Sequence, residues 1–192
     1  MKRPAVYMDR DGTISEEVGY VNHPSRYLVF PFSAEAVRLL NERGWLAILV
    51  TNQAGVARGY FKEDLIEEVH GLLKAELERG GARLDAIYYC AHHPSVGEEP
   101  YRFDCDCRKP KPGLILRAAS EHDVDLAGSW MIGDRYSDIV LAHNAGVRSA
   151  FVLTGYGRGE WEYQRDSWST EPDLLAEDLL EAVRKITEMD ER

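Results

Sequence analysis

The chain has 192 residues, 44% of them hydrophobic and 29% charged, the composition of a globular protein with a sizeable core. A formal net charge of −10, from 23 basic and 33 acidic residues, repels nucleic acid and anionic membrane surfaces, so neither is expected as a partner. No stretch approaches the ~20 apolar residues that span a bilayer, and Met1-Lys2-Arg3-Pro4 runs into the first apolar segment with no signal-peptide core, which predicts a cytoplasmic protein.

In chain order, Ala5-Val6-Tyr7-Met8 comes first, four apolar residues bounded by charge and glycine that read as a buried strand. A helix over 34–43 follows, with Ala36, Val37, Leu39 and Leu40 on its apolar side and Gly44 as its stop. Residues 46–50 form a second apolar run. Leu65, Ile66, Val69, Leu72, Leu73 and Leu77 then repeat at helical spacing up to Gly80-Gly81, and 86–89 reads as a third strand. Pro112-Gly113 opens a helix over 114–122; 130–132 supplies a fourth strand, 139–145 a helix closed by Gly146, and 150–153 a fifth strand. Residues 174–186 are expected to form one C-terminal amphipathic helix. Segments 15–32, 91–112 and 155–172 show no clear period. Alternation of apolar runs with helical patterns argues for an α/β protein with a parallel sheet covered on both faces, and the length and lack of repeats argue for one domain over 1–192.

The chemistry lies at the strand ends. Asp9 and Asp11 follow the first strand at i and i+2, positions that share one face, so both carboxylates overhang one edge of the sheet. Open α/β sheets bind ligands at that edge. Two close carboxylates suit a divalent cation or a division of labour between an acid and a nucleophile. The second strand ends in Thr51-Asn52-Gln53, the fourth in Gly133-Asp134 with Asp138 four residues on, and Arg108-Lys109-Pro110 precedes the helix after the third.

This ordered set resembles the four motifs of the haloacid dehalogenase superfamily of aspartate-nucleophile phosphatases. Arg10, Gly19-Tyr20-Val21, the stretch 51–59 and Cys105-Asp106-Cys107-Arg108-Lys109-Pro110 resemble, within it, the heptose 1,7-bisphosphate phosphatases and the related histidinol phosphatases. The resemblance implies a three-layer, Rossmann-like parallel sheet. It implies Asp9 as nucleophile and Asp11 as general acid/base, with Thr51 and Lys109 stabilising the transferring phosphoryl group. Mg²⁺ is implied at the carboxylates of Asp9 and Asp134 and the backbone carbonyl of Asp11, with Asp138 in support. Substrate contacts are expected from Glu17, Val18, Gly19, Tyr20, Asn52, Gln53, Ala54, Arg108 and Arg135. The spacing between motifs leaves no room for a cap domain, and the resemblance leans towards a monomer.

All three cysteines fall within 90–107. An odd number forms no closed disulfide framework. Cys90, Cys105 and Cys107 with an imidazole make the ligand set of a tetrahedral zinc site without an open position, hence structural. His92 and His93 compete for the fourth place; His92 is preferred because its Cys-x-His form resembles the family pattern. The zinc loop, about 90–107, leads into Arg108 and Lys109. The expected activity is Mg²⁺-dependent removal of the 7-phosphate from D-glycero-D-manno-heptose 1,7-bisphosphate through an aspartyl-phosphate, a step towards nucleotide-activated heptose and lipopolysaccharide core. The 12 residues between His92 and Cys105 resemble the longer loop of the heptose enzymes rather than the shorter one of the histidinol phosphatases, and this resemblance favours the sugar phosphate over histidinol phosphate. A catalytically silent, zinc-stabilised binding module is the third reading.

Overall fold

The side chains of β1 (Ala5–Met8) alternate between two apolar layers: Val6 and Met8 enter one core, Ala5 and Tyr7 the other, and all four are buried. A strand buried on both faces belongs in the middle of a sandwich. In the computed structural model, which describes residues 2–190, β1 pairs in parallel with β2 (Leu46–Asn52) on one side and β4 (Trp130–Gly133) on the other. With β3 (Ala86–Cys90), β5 (Arg148–Val152) and β6 (Leu174–Ala176) the sheet has six parallel strands in the order β3-β2-β1-β4-β5-β6.

Helices α1 (Ser33–Glu42), α2 (Glu63–Arg79) and α6 (Leu179–Asp190) cover one face, burying Val37 and Leu40, Val69 and Leu73, and Val183 and Ile186 against it. Helices α3 (Gly113–Glu121) and α4 (Tyr136–Ala145) cover the other through Leu114, Ile115, Leu141 and Ala142. This is the expected three-layer Rossmann-like α/β fold. Only a 3₁₀ turn at Pro24–Arg26 stands between β1 and α1, and no helix or named strand lies between β3 and α3. Among the described residues no cap stands over the sheet, and no helix is long and apolar enough to cross a membrane.

Two expectations fail in the last quarter. Leu174–Ala176 is an edge strand rather than the start of the terminal helix, which begins at Leu179. The Asp178 carboxylate accepts the Glu181 N–H at 2.9 Å, an N-terminal cap that ends the strand and starts α6. Three apolar residues in front of a helix continue its apolar stripe, and this hid the strand. The aperiodic segment 155–172 also contains α5 (Gly157–Tyr163), whose two glycines disguise it as a loop.

The sheet order reverses direction at β1 and β4, the crevice where such sheets bind ligands. At the opposite edge, incoming loops hold the strand starts: Ser129 Oγ accepts the Ala5 N–H at 2.9 Å, Asp85 Oδ2 that of Ala47 at 2.9 Å, and Asp173 Oδ2 that of Ser149 at 2.8 Å. Asp173 Oδ2 also accepts from the Ser149 hydroxyl at 2.9 Å. An Asp173→Ala substitution leaves a part-buried N–H and a hydroxyl without their acceptor, so it is expected to destabilise by about 1–3 kcal/mol. The thermal unfolding midpoint should then fall by about 2–10 °C while kcat holds, and an unchanged midpoint would refute the clamp.

Candidate active site

The loop after β1 is wound around one carbonyl. Arg10 O accepts from the backbone N–H groups of Thr13, Ile14 and Ser15 and from the Ser15 hydroxyl at 3.0–3.3 Å, turning the chain back over the strand end. Gly12 stands at φ +84°, and a Cβ there would lie 2.1 Å from Asp134 Oδ2, so only glycine lets this loop close on β4. The Asp9 N–H donates to the Ile132 carbonyl at 3.0 Å and ties the ends of β1 and β4 together.

Around this junction four charged groups are packed out of water. Lys109 is 6% exposed, and its ammonium stands 2.8 Å from Asp9 Oδ2 and 2.8 Å from Asp138 Oδ1. Burial pushes the Lys109 pKa down, and the carboxylates of Asp138 and Asp9 more than offset it, so the net direction is up. Burial raises the Asp138 pKa and Lys109 pulls it back; with the ammonium in direct contact, the pair is ionic at neutral pH. The Asn52 amide clamps the Lys109 backbone from both sides, accepting its N–H at 3.0 Å and donating to its carbonyl at 3.2 Å. Asn52 lines the cavity, but its polar atoms hold the lysine in place.

Asp134 is fully buried. Its Oδ2 accepts the Tyr156 N–H at 2.8 Å, and its Oδ1 has no hydrogen-bond partner among the described residues. Burial, and then the charges of Asp9 and Asp138, drive its pKa well above the usual carboxylate range. A buried carboxylate with a free oxygen, beside two others, is a group that a bound cation would stabilise. Oxygens of Asp9, Asp134 and Asp138 lie within 4.8 Å of one another, a hard-oxygen cluster that fits Mg²⁺. Lys109 contacts Asp9 and Asp138 equally, but Asp9 lines the cavity above the cluster whereas Asp138 is fully buried beneath it, and Asp134 offers the oxygen with no hydrogen-bond partner among the described residues.

A cavity of about 410 Å³ opens above this cluster. Asp9, Asp11, Glu17, Gly19, Tyr20, Thr51, Asn52, Gln53, Ala54, Arg108, Lys109 and Arg135 all line it, as expected from sequence. Val18 does not, because the residue between Glu17 and Gly19 faces the other way and packs on the core. Asp11 is forked by the buried Arg10 guanidinium, at 3.0 Å to Oδ1 and 2.7 Å to Oδ2, and Gln53 Nε2 reaches Oδ2 at 3.0 Å. Gln53 also donates to Thr51 Oγ1 at 3.0 Å, which joins the first two motifs. The Arg135 guanidinium lies 3.8 Å over the Tyr156 ring. Tyr156 and Ser137 line the cavity too and belong to no sequence motif; the only local signal is the turn-forming Gly155 and Gly157 around Tyr156.

The cysteine loop closes into a second cluster. Cys90 Sγ lies 3.5 Å from Cys105 Sγ and 3.7 Å from His92 Nδ1, while Cys107 Sγ lies 3.2 Å from Cys105 Sγ and 3.3 Å from His92 Nδ1. Those separations exceed the ~2.05 Å of a disulfide, and the thiols are free. All four ligand atoms fall within 4.8 Å of one another, as a tetrahedral metal site requires. Hydrogen bonding to Cys90, and then burial, pushes the Cys107 thiol up, so a metal bound here would displace its proton to take the thiolate. His93 is elsewhere: its Nδ1 accepts the Ser95 and Val96 N–H groups at 3.2 and 3.1 Å, and Arg58 meets its Nε2 at 3.3 Å. The Arg108 guanidinium donates to the His92 carbonyl at 3.2 Å, so the cluster and the cavity share a wall.

The family described as HAD-hydrolase-like matches residues 106–182. D-glycero-D-manno-heptose-1,7-bisphosphate 7-phosphatase of Thermosynechococcus vestitus is 42% identical, over 97% of this chain and 96% of its own. D-glycero-beta-D-manno-heptose-1,7-bisphosphate 7-phosphatase of Pasteurella multocida is 37% identical, over 90% of this chain and 97% of its own. Among solved structures, D,D-heptose 1,7-bisphosphate phosphatase from B. bronchiseptica, complexed with magnesium and phosphate, matches with a TM-score of 0.85 at 32% identity, covering 98% of this chain and 99% of that one. With four motifs in one crevice and such similarity along nearly its whole length, the chain belongs to the haloacid dehalogenase-like phosphatases, in the family of the heptose-1,7-bisphosphate 7-phosphatases.

Proposed function

We propose that this chain is a Mg²⁺-dependent phosphatase that removes the 7-phosphate of D-glycero-D-manno-heptose 1,7-bisphosphate, supplying the heptose 1-phosphate from which nucleotide-activated heptose and lipopolysaccharide core are made. The observation that carries the chemistry is Asp9 held between the Lys109 ammonium, 2.8 Å away, and the free buried oxygen of Asp134. The relatives' names support the sugar.

A phosphate monoester repels nucleophiles through its own anionic oxygens, so the site must supply positive charge and a positioned attacker. Mg²⁺, held by the carboxylates of Asp9 and Asp134 and the backbone carbonyl of Asp11, would draw charge off the phosphoryl oxygens. Lys109 and the Thr51 hydroxyl bind those oxygens from the opposite side. The Asp9 carboxylate attacks phosphorus and the bond to the sugar oxygen breaks. Asp11 in its protonated form, turned from Arg10 to the leaving group, would donate that proton to the departing alkoxide; the carboxylate so formed takes a proton from the water that attacks the aspartyl-phosphate, which frees inorganic phosphate, restores Asp9 and reprotonates Asp11. With no cap to exclude solvent, water is the natural acceptor and hydrolysis outruns transfer to a second sugar. The cysteine cluster takes structural Zn²⁺ on Cys90, His92, Cys105 and Cys107 and fixes the loop that delivers Arg108.

Phosphate release from both heptose bisphosphate anomers, fructose 1,6-bisphosphate and histidinol phosphate should show the highest kcat/KM on a heptose bisphosphate; a higher value on histidinol phosphate would replace the reading. Asp9→Asn should lower kcat by at least about 10³-fold with its fold intact, since an amide cannot form the acyl phosphate. Metal analysis of the purified chain should find one Zn²⁺ that stays through removal and return of Mg²⁺. Cys105→Ser should abolish that stoichiometry, whereas protein with no zinc before mutation sinks the structural role.

A further inference from the structure

Segment 154–160, marked by no motif, meets the catalytic centre at several points. Thr154 Oγ1 donates to the Gly12 carbonyl at 2.6 Å, and Gly155, at φ +56°, packs where a Cβ would lie 2.2 Å from Asp134 Oδ2. The Tyr156 N–H holds that same Oδ2, and its ring carries the Arg135 guanidinium on its face at 3.8 Å. Glu160 stands beside it: Oε1 lies 3.7 Å from Arg135 Nη1, while Oε2 accepts the Tyr136 N–H at 2.7 Å, which anchors the carboxylate to the start of α4.

An arginine at a cavity rim ordinarily loses considerable rotamer freedom when it binds an anion. Arg135 has a half-exposed side chain yet is bracketed on two sides. Stacking uses the face of the guanidinium and leaves its in-plane N–H donors to a phosphate. The contact to Glu160 is too long for a hydrogen bond, so those donors are not consumed. Lys109, in contact with Asp9, is assigned to the reacting phosphoryl group, and Arg135 lines the same cavity with its charge not paired at hydrogen-bond distance.

We propose that Tyr156 and Glu160 are positioning residues that hold Arg135 ready as the docking cation for the second, non-transferring phosphate of a sugar bisphosphate. This inference rests on the reading of the chain as a bisphosphate phosphatase. Preorganisation lowers KM for a doubly anionic substrate and gives nothing to a monoester that lacks the second group.

Steady-state kinetics on the purified full chain compare heptose 1,7-bisphosphate with p-nitrophenyl phosphate. Tyr156→Leu removes the ring and keeps the backbone N–H to Asp134; the ratio of kcat/KM values, bisphosphate over p-nitrophenyl phosphate, should fall about tenfold, through KM rather than kcat. Tyr156→Phe retains the ring and should retain the wild-type ratio. In an Arg135→Met background, Tyr156→Leu should have no further effect on the ratio. If Tyr156→Leu does not fold, Glu160→Gln carries the test, with a fall of about threefold expected. An equal loss on both substrates, or an unchanged ratio in a wild-type enzyme that prefers the bisphosphate, overturns the positioning role. A wild-type chain that prefers no bisphosphate overturns the substrate reading itself, so the two failures are distinguishable.

Discussion

A lysine ammonium almost without solvent exists in this fold because two carboxylates meet it at 2.8 Å. Desolvating a charge costs several kcal/mol unless its partners are placed well, and removing one partner strands the others. The surroundings of Lys109 are organised around that requirement. Asn52 holds its main chain from β2, Asp138 reaches it from the first turn of α4, and Asp9 arrives at the end of β1. Two strand ends, the first turn of a helix and the loop carrying Lys109 must therefore converge within hydrogen-bonding distance, at the crevice where the strand order reverses between β1 and β4. The same crowding leaves Asp134 Oδ1 without a hydrogen-bond partner among the described residues, beside two other carboxylates.

The sequence was most legible where apolar runs end abruptly in chemistry. Asp9, Asp11, Thr51, Lys109 and Asp134 each sit beside a strand or at a helix entrance, and their order carried the family resemblance. The long, strongly patterned elements β2, α2 and α6 were legible for the same reason: their apolar residues outnumber any competing period. What failed was short or locally ambiguous. Leu174–Ala176 has too few residues to show a period of two, and only the Asp178–Glu181 cap separates it from the helix behind it. Helix α5 is short and carries two glycines, and its Trp161 meets Phe151 and Trp168 on the flanking segments rather than an apolar stripe of its own. Val18 was named by proximity to Glu17 and Gly19, but alternation turns it into the core. Asn52, read as a substrate contact, does line the cavity, and nothing in the sequence signals that its amide also holds the lysine backbone.

The two clusters divide the work along one loop. One end of the segment between Cys90 and Cys107 belongs to β3; the other leads at once into Arg108 and Lys109. Gly97 lies against the Ala57 carbonyl, where a Cβ would sit at 2.0 Å, so the same loop also packs on the segment that follows Gln53. An irregular stretch without helix or named strand needs some other source of order. Cys90, His92, Cys105 and Cys107 lie close enough to share one metal ion, and such a cross-link would supply that order next to Arg108 and Lys109.

The Thr154 hydroxyl reaches the Gly12 carbonyl across 142 residues of chain, and β1 takes one of its two neighbours from β4. During synthesis β1 emerges first, finds β2, and then stands with an open edge until Trp130–Gly133 has left the ribosome. Contacts of such long range form late and slowly, and an unfilled apolar edge is a site for wrong pairing in the interval. The site thus comes together only after β4 and segment 154–160 have been made: a nascent chain carrying Asp9, Asp11 and Lys109 still lacks Asp134 and the contacts that hold it.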